Sequence, residues 1–277
     1  MGELLGAIDH ITVAGRDLGE LRERLAGAGL ATAYGGAHSN GITHMAVTPM
    51  ADGSYLEAIS TLEPGATDAP LWGPQIVADA GACAWAVRCD DVQAELARLD
   101  ALGIPVRGPE PLDRHRPDGV HLRWLLGFAG EGPPGSMLPF LIEDLTRREL
   151  RIEAPETDWV RPTGPALAVA GVETVVLAVQ DAGLILEQLG LAYGLREAAP
   201  RPWPELDAEV RELPGSPVAV ATPASRNGWL AGRLERFGPA PCAFVLGATG
   251  AGERRWLAPE RLGDLRLGVT SADRGRP

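Results

Sequence analysis

Residues 7–30 read AIDHITVAGRDLGELRERLAGAGL, and this stretch decides the fold. A β-rich run from Ile8 reaches Asp17, where a helix should begin. A carboxylate there can accept from free first-turn N–H groups and suits the positive helix end. Leu18, Leu21 and Leu25 then recur at helical spacing, and Gly29 can take the left-handed conformation that ends a helix. The pattern returns twice. Residues 82–104 read ACAWAVRCDDVQAELARLDALGI, with Asp91 and Gly103; residues 171–191 read GVETVVLAVQDAGLILEQLGL, with Asp181 and Gly190. The Asp-to-Gly distances are 12, 12 and 9 residues, so the third helix is expected to be shorter.

Strand-like runs come after each helix. In the first copy they are LATAYGG, THMAVTPM and SYLEAIST, with ADG as a hairpin turn. In the second they are IPVRG, VHLRWLLGF and LPFLIED; in the third, AEVREL and PVAVATP are joined by PGS. Each unit therefore reads β-α-β-β-β. Such a unit cannot bury both faces of its sheet alone, so two should pair and enclose a cleft. The remainder is a degenerate fourth unit, with NGWLAGRLERFG as a helix and PCAFVLGA and DLRLGVT as strands. The fold class expected is α+β: tandem βαβββ modules in two pairs, the second pair trimmed. One domain is placed at 1–148, a charged and Pro-rich linker at 149–165, and a second, degenerate domain at 166–277.

Composition removes several functions. Net charge is −12, and the one tight basic cluster, Arg147, Arg148 and Arg151 around Glu149, reads as a solvated linker face. No nucleic-acid partner is expected. All 25 basic residues are Arg, as a GC-rich bacterial genome would give. Without Lys there is no Schiff-base chemistry and no P-loop. Cys83, Cys89 and Cys242 are too scattered for a disulfide framework or a Cys₄ zinc site. The N-terminus lacks the features of a signal peptide, and Ala166–Val179 is too short and too charged to span a bilayer. A cytoplasmic protein without a membrane partner is the expectation; a homodimer is compatible with it.

Four stretches, IDHITVAGRDL, GGAHSNGITHMAVTPMADGSYLEAI, RHRPDGVHLRW and LPFLIED, cover most of residues 7–145. Together they resemble the glyoxalase-like family of the vicinal oxygen chelate superfamily. The second half matches only the module pattern. The resemblance implies a divalent metal, Zn, Fe, Mn or Ni, held in the cleft by His10 and Glu57, whose donor types suit such ions. Strand alternation would put His10 on a face with Ile8 and Thr12, and Glu57 on one with Tyr55 and Ile59. The second module departs from the pattern. The matching count lands on Ala84, and its last strand offers Phe140 or Leu141. Thr174 and Cys242 or Ala243 stand at the corresponding places further on, so half a metal site is expected in the first domain and none in the second.

Candidates to complete the shell are His38, in a Gly-rich loop that could act as a lid, His44 and His121. His44 or His121 could instead move a proton. Arg123 shares a strand face with His121 and could clamp a carboxylate, if that face is the cleft side. Arg114, His115 and Arg116 read as a solvated loop. The resemblance implies a protein binding a small oxygenated organic molecule in a βαβββ cleft, as a metal-dependent lyase, isomerase or dioxygenase; the missing second-module ligands and the Trp content leave a metal-free binding or sequestration protein as the alternative.

Overall fold

In the computed structural model, which describes residues 7–116, 118–152, 158–258 and 262–272, the first repeat is strand β1 (Ile8–Ala14), helix α1 (Leu18–Gly27) and strands β2 (Thr32–Ala37), β3 (Thr43–Pro49) and β4 (Tyr55–Thr61). Asp17 Oδ1 accepts from Glu20 N at 2.9 Å, and Gly29 at φ +92° ends the helix. A short helix α2 (Gly73–Val77) crosses to the second repeat: β5 (Gly81–Arg88), α3 (Val92–Ala101), β6 (Val106–His115), β7 (His121–Ala129) and β8 (Phe140–Asp144). Asp91 caps α3 through Ala94 N at 2.8 Å. Residues 114 and 115 belong to β6, so they lie on a strand and not in the expected loop.

The two repeats make one nine-stranded sheet in the order β6-β7-β8-β5-β1-β4-β3-β2-β9. β1 and β5 meet antiparallel at its centre, and each runs parallel to the last strand of its own repeat, β4 or β8. The stretch expected as a linker contributes helix α4 (Arg148–Ile152) and the edge strand β9 (Trp159–Val160), which pairs with β2. Residues 153–157 of that stretch, and residues 1–6 at the N-terminus, lie outside the described residues.

The second sheet runs β11-β12-β13-β10-β14-β16-β15. It is built from β10 (Val169–Ala178), helix α5 (Gly183–Tyr193), β11 (Arg201–Trp203), β12 (Ala208–Glu212), β13 (Val218–Pro223), helix α6 (Trp229–Phe237), β14 (Ala240–Ala248), β15 (Arg255–Trp256) and β16 (Arg266–Ser271). α5 is longer than the sequence spacing implies. Gly190 lies inside it, and Gly194 at φ +71° ends it. The fourth unit is trimmed: its helix α6 precedes β14 instead of coming after it.

Strand alternation sorts each sheet into two faces. Ile11, Leu25, Trp85 and Leu99 of the first half share one core with Leu189, Phe244 and Leu246 of the second. Arg233, almost wholly buried, joins the halves by donating to the carbonyls of Ala80 (2.7 Å), Ala82 and Pro241 (3.0 Å). The other face of the second sheet is filled by α6, whose Leu230 and Leu234 pack with Trp203, Ala219 and Val245. The other face of the first sheet is met by the short helices α2 and α4, through Ile76 and Leu150, and leaves a cleft. Among the described residues, no helix is long and apolar enough to cross a membrane.

Two substitutions check this architecture by urea unfolding. Asp91→Ala should cost about 1 kcal/mol, the value of one helix cap. Phe244→Ala, at the shared core, should cost about 3–5 kcal/mol.

Candidate functional site

β1 carries the centre of the cleft. Its register against β5 shifts between Ile8 and His10, and Asp9 is the extra residue. Such a bulge breaks strict alternation. Ile8 therefore joins Ile11 and Val13 in the core, instead of sharing the face of His10 as regular alternation predicts. Asp9, completely buried, is left beside the His10 ring: His10 Nδ1 lies 2.7 Å from Asp9 Oδ1.

A carboxylate at zero exposure needs compensation. Arg151 from α4 supplies it, with Nη1 2.8 Å from Oδ1 and Nη2 2.8 Å from Oδ2. Arg148, one turn earlier, adds a contact at 3.0 Å. Burial by itself would raise the Asp9 pKa; the charge and hydrogen bonds of Arg151, with the His10 contact, hold it well below the usual carboxylate range. Arg151 also binds Asp144 at the end of β8 and the Tyr55 hydroxyl on β4. The basic cluster expected as a solvated face is thus mostly interior: Arg151 is 4% exposed, and only Arg147 of the three points outward, against Glu149. Five residues of helix place Arg148 and Arg151 on one side, and nothing local in the sequence marks their buried target.

With Nδ1 engaged by Asp9, His10 turns Nε2 to Glu57 Oε2 at 3.5 Å. Glu57 stands on β4, opposite Thr12, whose hydroxyl donates to the same oxygen at 3.2 Å. The other oxygen faces His38 Nε2, also at 3.5 Å. His38 is oriented in the same fashion as His10, its Nδ1 2.9 Å from Thr43 Oγ1. Asn40 fixes the turn beneath it by accepting from Ile42 N (2.9 Å) and Thr43 N (3.0 Å). Burial opposes ionisation of Glu57, but the His38 contact and the charges of His10, His38 and Arg114 bring its pKa down to about 2.

The rest of the cleft is apolar. Trp72, Trp124, Leu126, Phe140 and Ile142 line it. Trp72 is held by its Nε1 donating to Pro134 O at 2.9 Å. Arg114 completes the polar end. It comes from β6 and is 3% exposed.

Two imidazoles and a carboxylate suit a divalent ion of the Zn, Fe, Mn or Ni type. Each imidazole Nε2 stands 3.5 Å from Glu57, but against a different carboxylate oxygen, His10 at Oε2 and His38 at Oε1. The second module offers nothing further. The antiparallel register pairs His10 with Ala86 and Thr12 with Ala84, which makes Ala84 the counterpart of His10, and the pairing of Ala86 with Phe140 makes Phe140 the counterpart of Glu57. The donor atoms of His10, Glu57 and His38 do not all lie within 4.8 Å of one another; a tighter donor group lies elsewhere. Among the described residues, Asp113, His115 and His121 are a group whose donor atoms all fall within 4.8 Å. It sits exposed at the end of the β6–β7 hairpin, with His121 Nε2 2.8 Å from Asp113 Oδ2.

Comparison with known proteins agrees with this fold. The profile of a glyoxalase-like domain family matches residues 8–190. The chain belongs to the glyoxalase-like family. No curated protein sequence matches it. Among solved structures, a hypothetical protein from Staphylococcus aureus superposes with a TM-score of 0.64 at 12% identity, covering 96% of this chain and 99% of its own. A mutant 4-hydroxymandelate synthase from Streptomyces coelicolor gives 0.54 at 15% identity, covering 87% and 70%. At such identities these likenesses speak to the fold.

Of the residues singled out in the sequence of this glyoxalase-like protein, the structure brings His10, Glu57 and His38 together. It does not bring His44, His121 or Arg123 to the cleft. Thr43 and Met45 face inward, so His44 between them faces the other way, against Tyr34, and burial lowers its pKa. On β7 the inward face is Leu122, Trp124 and Leu126, which leaves His121 and Arg123 exposed. Asp9, Arg114, Arg151 and Trp72 are site residues that sequence reasoning misses. The acidic residue directly before His10 is the one available signal.

The depressed Glu57 pKa fixes a pH dependence. Ionised Glu57 stabilises the folded state fully above its ordinary value of 4.5, and this is lost as pH falls toward about 2. Urea unfolding from neutral pH downward should show stability falling across that window, and falling less steeply in Glu57→Gln.

Proposed function

We propose that this glyoxalase-like protein binds a small oxygenated organic molecule in the cleft of its first sheet and acts on it with a divalent metal. His10, Glu57 and His38 are the residues that would hold the ion. The observation that carries this reading is the buried Glu57 carboxylate, set between two imidazole Nε2 atoms at 3.5 Å, at the polar end of an apolar cleft. A bound ion of the Zn, Fe, Mn or Ni type supplies Lewis acidity to neighbouring oxygens of the substrate.

The chain's own residues do the remainder. Asp9 orients His10, as a carboxylate behind a ligating imidazole does, and Thr43 does the same for His38. Trp72, Trp124 and Phe140 hold the apolar body of the substrate and exclude water, which strengthens every charge interaction at the polar end. Lyase, isomerase and dioxygenase reactions on vicinal oxygens all place these demands on a site.

One observation favours a second reading, a metal-free binding protein. Ala84 and Phe140 stand in place of donors in the second module, so the protein provides fewer ligands than two complete modules would.

Elemental analysis of untagged protein after exposure to each metal separates the two. The metal reading expects near-stoichiometric ion in the parent and in His121→Ala, with loss in His10→Ala and Glu57→Gln. Loss in His121→Ala alone would put the ion on the exposed hairpin and overturn the cleft assignment. No uptake by the parent would leave the binding-protein reading.

A further inference from the structure

Arg114 is a guanidinium with 3% of its surface exposed. Burial of a cation is costly unless a counter-charge meets it. Arg151, equally buried in the same cleft, is met by two carboxylates. Arg114 is met by none: among the described residues, no carboxylate oxygen lies within 4.0 Å of it. Its donations are from Nη1, to the Gly35 carbonyl and, at 3.3 Å, to Met45 Sδ. Glu57 is near enough to act on its charge, but the Glu57 oxygens are taken up by Thr12, His10 and His38.

The wall around Arg114 is built to admit it. Gly35 has no side chain, and a Cβ there would stand 2.6 Å from Arg114 Nη1. The bridge between His38 and Arg114 fixes the backbone on both sides. Burial also pulls the Arg114 pKa below its ordinary value, against the opposing pull of Tyr55 and Glu57. A fixed, desolvated cation in a cleft, with Nε and Nη2 unused among the described residues, is an anion subsite.

We infer that the molecule bound in the cleft carries a carboxylate, which Arg114 receives through its free guanidinium edge, while an aryl or branched alkyl body lies against Trp72, Trp124 and Phe140. This rests on the cleft being the binding site. A carboxylate matches the planar fork of Arg and carries one negative charge. A dianionic phosphate would bring a second negative charge beside Glu57.

The test uses a matched pair of probes, phenylpropanoate and phenylpropanamide, titrated into full-length, EDTA-treated protein with Trp fluorescence and calorimetry as readouts. The two differ only in the charge of the head. The parent should bind the acid at least about tenfold more tightly than the amide. Arg114→Gln should abolish that preference and leave amide affinity within about twofold. Arg114→Lys, which keeps the charge and loses the fork, should restore part of it; it also serves if the Gln variant fails to fold by circular dichroism. Equal binding of acid and amide by the parent would overturn the inference and leave the cleft reading standing, as would an acid preference that survives in Arg114→Gln. Saturable binding of neither probe would overturn both.

Discussion

The Asp9–Arg151 ion pair is the interaction on which the cleft depends. Asp9 sits at zero exposure on the central strand, made available by a register shift in β1. Arg151 reaches it from α4, and in the same grip holds Asp144 on β8 and Tyr55 on β4. One guanidinium thus ties together strands from both repeats. Removing either partner would leave an uncompensated buried charge, which is strongly destabilising. Arg148 and Arg151 both serve Asp9, so the carboxylate stays ionised and can hold the His10 ring. From that ring the order passes to Glu57, and from Glu57 to His38.

Duplication explains both the symmetry of the scaffold and the asymmetry of the site. β1 and β5 meet as equivalent strands, yet His10 faces Ala86, and Phe140 presses edge-on against the His10 ring. The first repeat keeps polar groups and the second supplies apolar wall. The second sheet carries the trend further, since α6 packs its side chains where the first sheet has open space. A cleft that is polar at one end and apolar along its length suits a molecule with the same division, and Arg114 adds charge selection to it.

The scaffold is legible in the sequence because its signals are local. Asp17 and Asp91 are both helix caps at a fixed offset from a glycine, and the strand runs between them alternate. Gly190 misleads because a glycine can sit inside a helix when the tertiary core, here through Leu189 and Tyr193, carries the helix onward. His10, Glu57 and His38 are reached through residue type and family resemblance. Arg151 and Arg114 are not, since their partners are 142 positions away in one case and absent from the sequence neighbourhood in the other. A charge-rich stretch looks the same in a sequence whether it meets water or a buried carboxylate. His121 and Arg123 are misplaced by a two-way choice that alternation cannot make: it pairs residues on faces and does not say which face is inside.

The most direct test of the Asp9–His10 link is the tautomer of His10, read by NMR of protein carrying ¹⁵N-labelled histidine. If Asp9 holds the ring as described, Nδ1 of His10 carries a proton that exchanges slowly with water, and Arg151→Met, which frees Asp9, abolishes that protection. A His10 signal with Nδ1 unprotonated and Nε2 carrying the proton in the parent would contradict that link, because Nε2 would then be a donor with no lone pair to offer the cleft.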